Sequence, residues 1–424
     1  MEKQIIKSII IEYQQFVENV NLLKRSIVTE PNLNYVFVGM RRAGKSHILY
    51  QIIQEKLKKE CVIEDILFIN FEDERFIGAT SDDLTLILDS YKELYNRTPI
   101  VFLDEIQVVE GWQKFARRLA DTRHRVFVTG SNAEMLSSEI ATTLGGRFMI
   151  HEVYPYSFQE YLSAHQIPLK KNWQYSDTKN KVVQLAQTYL EYGGLPEILA
   201  VHDKRPWLSG LYQKIFFGDI ITRYSIRNDF AMKLMVKKLA ESLMHPISFN
   251  RLANIVSSAG SKTSVTTMIE YIKYAQSSWL IFSLPNYALT LREKETIKKY
   301  YFSDNGVLQL FLINGLSILL ENLVAIHLWK QFADKLYFYN KNVEVDFYVP
   351  SEGLALQSCY DTSDSYTLQR EAGALLKLSK VQKVKQAYII TNDDEQTIVY
   401  NGLSIEIIPF WKWMIISGFE LSKQ

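Results

Sequence analysis

The sequence predicts an α/β protein of more than one domain, and two patterns carry that reading. In the first third, short apolar runs at 35–38, 66–69, 100–103 and 126–128 end in glycine or polar residues and alternate with helical stretches. That is how buried parallel strands read. In the last third, a helix, three strands, a second helix and a further strand follow one another. At 424 residues the chain exceeds one core and implies two to four domains.

Composition narrows the classes. Apolar residues make up 47% and charged residues 22%, as in an ordinary globular protein. The net charge of +1 gives no overall attraction to nucleic acid or anionic membrane, so any such affinity must be local. Cys61 and Cys359 cannot form a disulfide framework and fit a reducing cytoplasm. The start, "MEKQIIKSIIIEYQQF", has charges on both sides of a short apolar run and reads as an amphipathic helix, not a signal peptide. No apolar run approaches the roughly 20 residues of a membrane span. The histidines never fall at metal-ligand spacings and no CxxC occurs, which sets structural zinc aside.

The first element in order is a strand at 35–38 that runs into Gly39-Met-Arg-Arg-Ala-Gly44-Lys45-Ser46 and then into a helical apolar pattern. GxxxxGKS between a strand and a helix is a phosphate-binding loop. Glycines let successive N–H groups converge on phosphate oxygens, and the helix N-terminus adds its dipole. Lys45 bridges the terminal phosphates and the Ser46 hydroxyl coordinates magnesium. The contacting set is Gly39, Arg42, Ala43, Gly44, Lys45, Ser46 and His47.

"PIVFLDEIQ" supplies the acidic partner strand. Asp104 would hold magnesium through water, and Glu105 would polarise the attacking water as general base. The next strand ends in Thr129, Ser131 and Asn132, which read either as a γ-phosphate sensor or as caps of the following turn. Arg147, after two glycines, reads either as an ordinary helix-end charge or as an arginine finger. Its use across a subunit boundary would imply a homo-oligomer. An Asn-Lys-x-Asp guanine signature is missing, which favours ATP over GTP.

Together, "GMRRAGKS", "VFLDEIQVVEGW", "FVTGSNAEML", "LGGRF", "YPYSFQEYL", "YGGLPEIL" and "YFSDNGVLQLF" resemble, in this order, a group of AAA-type ATPases of bacteria and archaea. Those proteins join a P-loop ATPase to a winged helix and a C-terminal domain of PD-(D/E)XK nuclease type, and the likeness covers nearly the whole chain. The resemblance implies an ATPase domain at 1–156, a helical lid at 157–228, a winged helix at 229–303 and a nuclease-like domain at 304–424. It makes Lys45, Ser46, Asp104 and Glu105 the Walker residues, matches Arg147 to the family's "GR" arginine, and makes the GGLP turn at 193–196 a lid motif.

The middle of the chain reads helix, turn, helix, strand from 248 to 284, with Ser264 as a natural cap for the second helix. That is the outline of a winged helix. The second helix exposes Lys273 but also Glu270, so DNA binding and protein packing both stay open.

The implied metal site has an acid at Glu321, on the preceding helix, and at Asp346 in "EVDFYVPSEGLALQSC". It offers Gln357 and Cys359 where a glutamate and a lysine are needed. Glutamine removes one negative charge, and cysteine is short and disfavoured by magnesium. The expectation is a nuclease-like domain that does not cut, with DNA or a protein as its partner.

Overall fold

The computed structural model describes residues 2–59, 61–136 and 142–421, and the chain divides into two compact units, Met1–Tyr154 and Pro155–Gln424. The boundaries expected at 229 and 304 fall inside the second unit.

In the first unit the chain runs α1 (Lys3–Asn19), β1 (Asn34–Gly39), α2 (Lys45–Leu57), β2 (Ile66–Asn70), α3 (Ser81–Tyr95), β3 (Ile100–Asp104), α4 (Trp112–Asp121), β4 (Val126–Gly130) and β5 (Phe148–Val153). The five strands pair in the order β2-β3-β4-β1-β5, all in parallel. Val36, Phe37 and Val38 are fully buried because helices cover both faces of a parallel sheet. Helix α1 is the amphipathic helix expected from the sequence. Ile6, Ile9, Ile10 and Val17 line its buried face. The order of strands sets up the site: β4 stands between β1 and β3, so the loop after β1 looks across the end of β4 at the acids after β3.

In the second unit the helices are α5 (Phe158–Ala164), α6 (Asp177–Tyr192), α7 (Lys204–Gln213), a π-helix over Lys214–Thr222, and α8 (Asp229–Glu241). β6 (Ile247–Ser248), α9 (Phe249–Ser258), α10 (Val265–Ser277), β7 (Ile281–Pro285) and β8 (Ile297–Phe302) follow, with the three strands in one antiparallel sheet. Ser264 caps α10, accepting the Thr267 N–H at 3.0 Å. After α11 (Asn305–Gln309) and α12 (Leu316–Phe332) come β9 (Tyr337–Asn340), β10 (Glu344–Val349), β11 (Leu354–Ser358), α13 (Ser365–Ser379), β12 (Gln386–Thr391), β13 (Gln396–Tyr400), β14 (Leu403–Pro409) and α14 (Phe410–Leu421). Their six strands form one sheet in the order β13-β14-β12-β11-β10-β9. No helix among the described residues is long and apolar enough to cross a membrane.

Three of the motifs that carried the resemblance meet in this unit. Gly194 N–H donates to Asp304 Oδ2 at 3.0 Å and Gly306 N–H to Asp304 Oδ1 at 2.9 Å, while Tyr156 N–H donates to the Gly194 carbonyl at 2.7 Å. Glycine is required at both turn positions. A Cβ on Gly193 would lie 2.2 Å from Asp304 Oδ1, and one on Gly194 would lie 2.4 Å from the Tyr156 carbonyl. Asn305 and Asn322 extend the network to the Leu190, Leu319 and Phe302 carbonyls. Burial pushes the Asp304 carboxyl up to about 6, against the backbone N–H groups that favour its charge. Within this unit the GGLP turn therefore has a structural account.

Asp304→Asn puts an amide NH2 against a buried N–H donor. It is expected to cost about 1–3 kcal/mol, the scale of an unsatisfied buried polar group. An unchanged urea midpoint would show that the network carries no stability.

Candidate nucleotide site

The loop from Gly39 to Ser46 begins where β1 ends, and its glycines have separate reasons. A Cβ on Gly39 would sit 2.0 Å from the Val153 carbonyl at the end of β5. Gly44 turns the chain into α2 with φ 93°, and Arg42 also has positive φ, at 68°. Ala43 N–H closes the turn on the Met40 carbonyl at 3.1 Å. The Arg42 and His47 side chains are exposed, so their place in the expected set rests on their backbone. The His47 ring packs beside Tyr50.

Lys45 is buried. Its Nζ donates to the Gly39 and Met40 carbonyls, each at 3.2 Å, and pairs with Glu105 Oε1 at 3.2 Å. Glu105 follows β3 with φ 52°, a conformation that costs a non-glycine residue energy and concentrates at functional sites. The Thr129 hydroxyl, at the end of the intervening β4, binds both acids. It donates to Asp104 Oδ1 at 2.5 Å and accepts the Glu105 N–H at 2.9 Å. Gln107 steadies the other Glu105 oxygen at 2.5 Å and reaches Ser131 at 3.4 Å.

The two adjacent carboxyls are driven apart. Burial, then the neighbouring Glu105 charge, raises Asp104 above the usual carboxylate range against the Thr129 and Ser46 hydroxyls. Burial would raise Glu105 too, but the Lys45 charge, the Gln107 hydrogen bond and the Arg41 charge outweigh it and hold Glu105 low. Glu105 is thus the member kept ionised, as a general base must be. Asp104 Oδ2 is wholly buried and meets no hydrogen bond of ordinary geometry among the described residues. A hydroxyl and an unsatisfied carboxylate oxygen are hard donors suited to magnesium.

Asn132 takes the capping role. Its Oδ1 accepts the Glu134 N–H at 2.8 Å. Arg147 is not brought to this site by its own chain. β5 runs parallel to β1 with Phe148 opposite Asn34 and Val153 opposite Gly39, so Arg147 precedes the strand at the end away from the loop. Six residues at about 3.3 Å each separate the two by roughly 20 Å. There Arg147 pairs with Asp121 and donates to the Gly145 carbonyl at 3.1 Å.

Sequence reasoning missed Gln107, legible as the second residue after the acidic pair, and Arg25. The Arg25 guanidinium donates to the Ala43 and Tyr154 carbonyls, each at 3.1 Å, and nothing in "KRSIVTE" announces that role. In the second unit Glu321 and Asp346 come together around Lys299, which was also missed. Cys359 is turned to the Asp361 carbonyl, 3.2 Å away, and burial pushes its thiol up to about 11.

A family model described as an AAA domain matches residues 32–162, and a domain of unknown function (DUF8612) matches 183–316. The uncharacterized protein MJ1544 of Methanocaldococcus jannaschii is 32% identical over 98% of this chain and 96% of its own length. The chain belongs to the family of MJ1544. Its first unit is an AAA-type P-loop ATPase domain. An uncharacterized protein of Haemophilus influenzae is 31% identical over 64% of this chain and 67% of its own. Among solved structures, the Walker-type ATPase PABY2304 of Pyrococcus abyssi is similar at 12% identity, over 74% of this chain and 96% of that one, with a TM-score of 0.40.

Thr129→Val keeps the shape but removes the hydroxyl shared by both acids. It is expected to lower stability by about 1–3 kcal/mol, since a buried N–H loses its acceptor. Urea unfolding of the two proteins side by side measures this, and equal midpoints would deny the bridge any weight.

Proposed function

We propose that this chain is a cytoplasmic ATP-binding protein that hydrolyses ATP with magnesium and works as an AAA-type switch or small motor. The observation that supports this best is the buried set of Lys45, Asp104, Glu105 and Thr129 at the ends of three adjacent parallel strands, beside a loop that opens onto the N-terminus of α2. Ser46 and Asp104 would hold magnesium, which when bound screens phosphate charge and fixes phosphate orientation. Lys45 would turn from its backbone carbonyls to the terminal phosphates. That movement frees Glu105, ionised and braced by Gln107, to take a proton from the attacking water. Thr129 keeps the two acids in register while this happens. Arg147 enters this reading only from a neighbouring copy, which makes a homo-oligomer part of the proposal.

For the second unit, the proposal is a helical lid, a winged helix over α8 to β8, and a nuclease-like domain that does not cut. The exposed face of α10 offers Val265, Ile269, Glu270 and Lys273, two aliphatics with one charge of each sign. That face suits a protein partner better than a phosphate backbone, which calls for several bases. An ATP-regulated DNA-binding module is the second reading, and salt-dependent filter binding to DNA separates the two.

Lys45→Ala is expected to abolish ATP binding, and undiminished affinity in calorimetry would remove the loop from the mechanism. Glu105→Gln is expected to keep ATP binding while slowing hydrolysis roughly 10²-fold or more, the scale of general-base loss. Unchanged turnover would leave Glu105 a strand-end charge. Mixing Arg147→Ala with Lys45→Ala protein is expected to restore part of the activity, because a shared site can pair an intact loop with an intact arginine. No recovery, with a monomer in light scattering, would take Arg147 out of the reaction.

A further inference from the structure

The cluster around Lys299 lies outside the nucleotide site and is not explained by it. Lys299 sits on β8 and is fully buried. Its Nζ lies 3.1 Å from Asp346 Oδ1, 3.2 Å from Glu344 Oε1 and 3.3 Å from Glu321 Oε1. Tyr301, two residues on and therefore on the same face of the strand, donates its hydroxyl to the same Glu321 oxygen at 2.9 Å. Three acids from α12 and β10 thus surround one ammonium brought by a strand of a different sheet.

The remaining contacts show that the pocket is built around this charge. Asp346 Oδ2 accepts the Ser358 N–H at 3.0 Å. Gln357, next to the Leu356 that stands opposite Phe347 in the β10–β11 ladder, accepts the Asp346 N–H at 2.8 Å and donates to Glu371 at 2.8 Å. A glutamate there would set a second carboxylate against Glu371, so the neutral glutamine matches its neighbour. Glu321 Oε2 is buried without a hydrogen-bond partner among the described residues.

A buried lysine on its own would lose its proton. Here oxygens of Glu321, Asp346 and Glu344 all stand within 3.3 Å of it and offset its burial. The ammonium supplies what a divalent cation would supply to these oxygens. Hard divalent ions sit about 2.0–2.6 Å from oxygen ligands, closer than an ammonium donor, so ion and ammonium cannot share the space.

We propose that Lys299 is the resident cation of this three-carboxylate site, occupying the place of a divalent ion and fastening β8 to α12 and β10. Two consequences follow. The wild-type second unit takes up no divalent metal at these acids. Removing the ammonium uncovers a cation site made of Glu321, Glu344 and Asp346. Neither consequence depends on ATP hydrolysis.

The test titrates manganese into the full-length chain without nucleotide, reading bound ion by water-proton relaxation and stability by thermal unfolding. Wild type, Lys299→Ala and the double variant Lys299→Ala/Asp346→Ala are compared, so that any weak binding at the nucleotide loop is common to all three. Lys299→Ala is expected to unfold at a lower temperature, to bind one more manganese ion per chain than wild type, and to regain stability as it does so. The double variant is expected to lose that extra ion. If Lys299→Ala does not fold in either the presence or the absence of manganese, Lys299→Met, which keeps the buried stem, replaces it in the same titration. Wild-type binding that Asp346→Ala removes would overturn the proposal, because ion and ammonium would then coexist. A folded Lys299 variant that takes up no extra manganese would overturn it equally.

Discussion

A carboxylate taken out of water must be given a cation or a proton, and this requirement shapes both compact units. In the first, Asp104 and Glu105 lie side by side at the buried end of β3 and cannot both be comfortable as anions. The solution is asymmetric. Lys45 and Gln107 stabilise charge on Glu105, while Asp104 is left with a shared hydroxyl and one unsatisfied oxygen. In the proposed reaction that imbalance would make one acid the base and the other the ligand. It also makes the pairing exchangeable, because Lys45 leans on backbone carbonyls that a phosphate can replace.

The second unit meets the same requirement in the opposite way. Lys299 is sealed, with no exposed surface, and its partners come from elements 22 to 47 residues away in sequence. Glu344 and Asp346 keep some exposure, but the ammonium between them is buried and tethered to β8, so it is not exchanged for a free ligand. Breaking the arrangement by removing one partner leaves uncompensated charge, which is why such a cluster is costly to disturb whatever its net worth. One pair is poised to let go and the other to hold.

Much of this was legible in the chain, and the line between legible and hidden follows sequence distance. The glycine loop, Lys45, the acidic pair and the strands carrying them are local patterns, each declared by its flanks. The parallel register was not local, and it alone shows that β5 delivers Val153 to the loop and leaves Arg147 at the far end. A basic residue after two glycines looks the same at either end of a sheet. Lys299 was hidden for a related reason, since "IKKYYF" reads as a strand returning from a wing. Its one clue is the alternation that puts Lys299 on the side of Tyr301, away from Lys298 and Tyr300. The GGLP turn shows a third kind of ambiguity: its glycines suit a phosphate-facing loop and a tight packing contact equally well, and only Asp304 distinguishes them within the unit.

The same distinction bears on the hairpin at 344–359. Judged by its own letters it is a metal site with two defects. In the fold, neither position is deficient. Gln357 is held by a donor and an acceptor that need an amide, and Cys359 is a neutral buried thiol bonded to a carbonyl. The positive charge missing from position 359 is present in space, carried by β8. A site that had merely decayed would leave its carboxylates unpaired or drifting toward solvent, yet Glu321 and Asp346 converge on one ammonium. Under the proposal made for Lys299, the cation of this cluster is one that cannot leave the chain. On that proposal the acids of the cluster serve packing, joining β8 to α12 and β10.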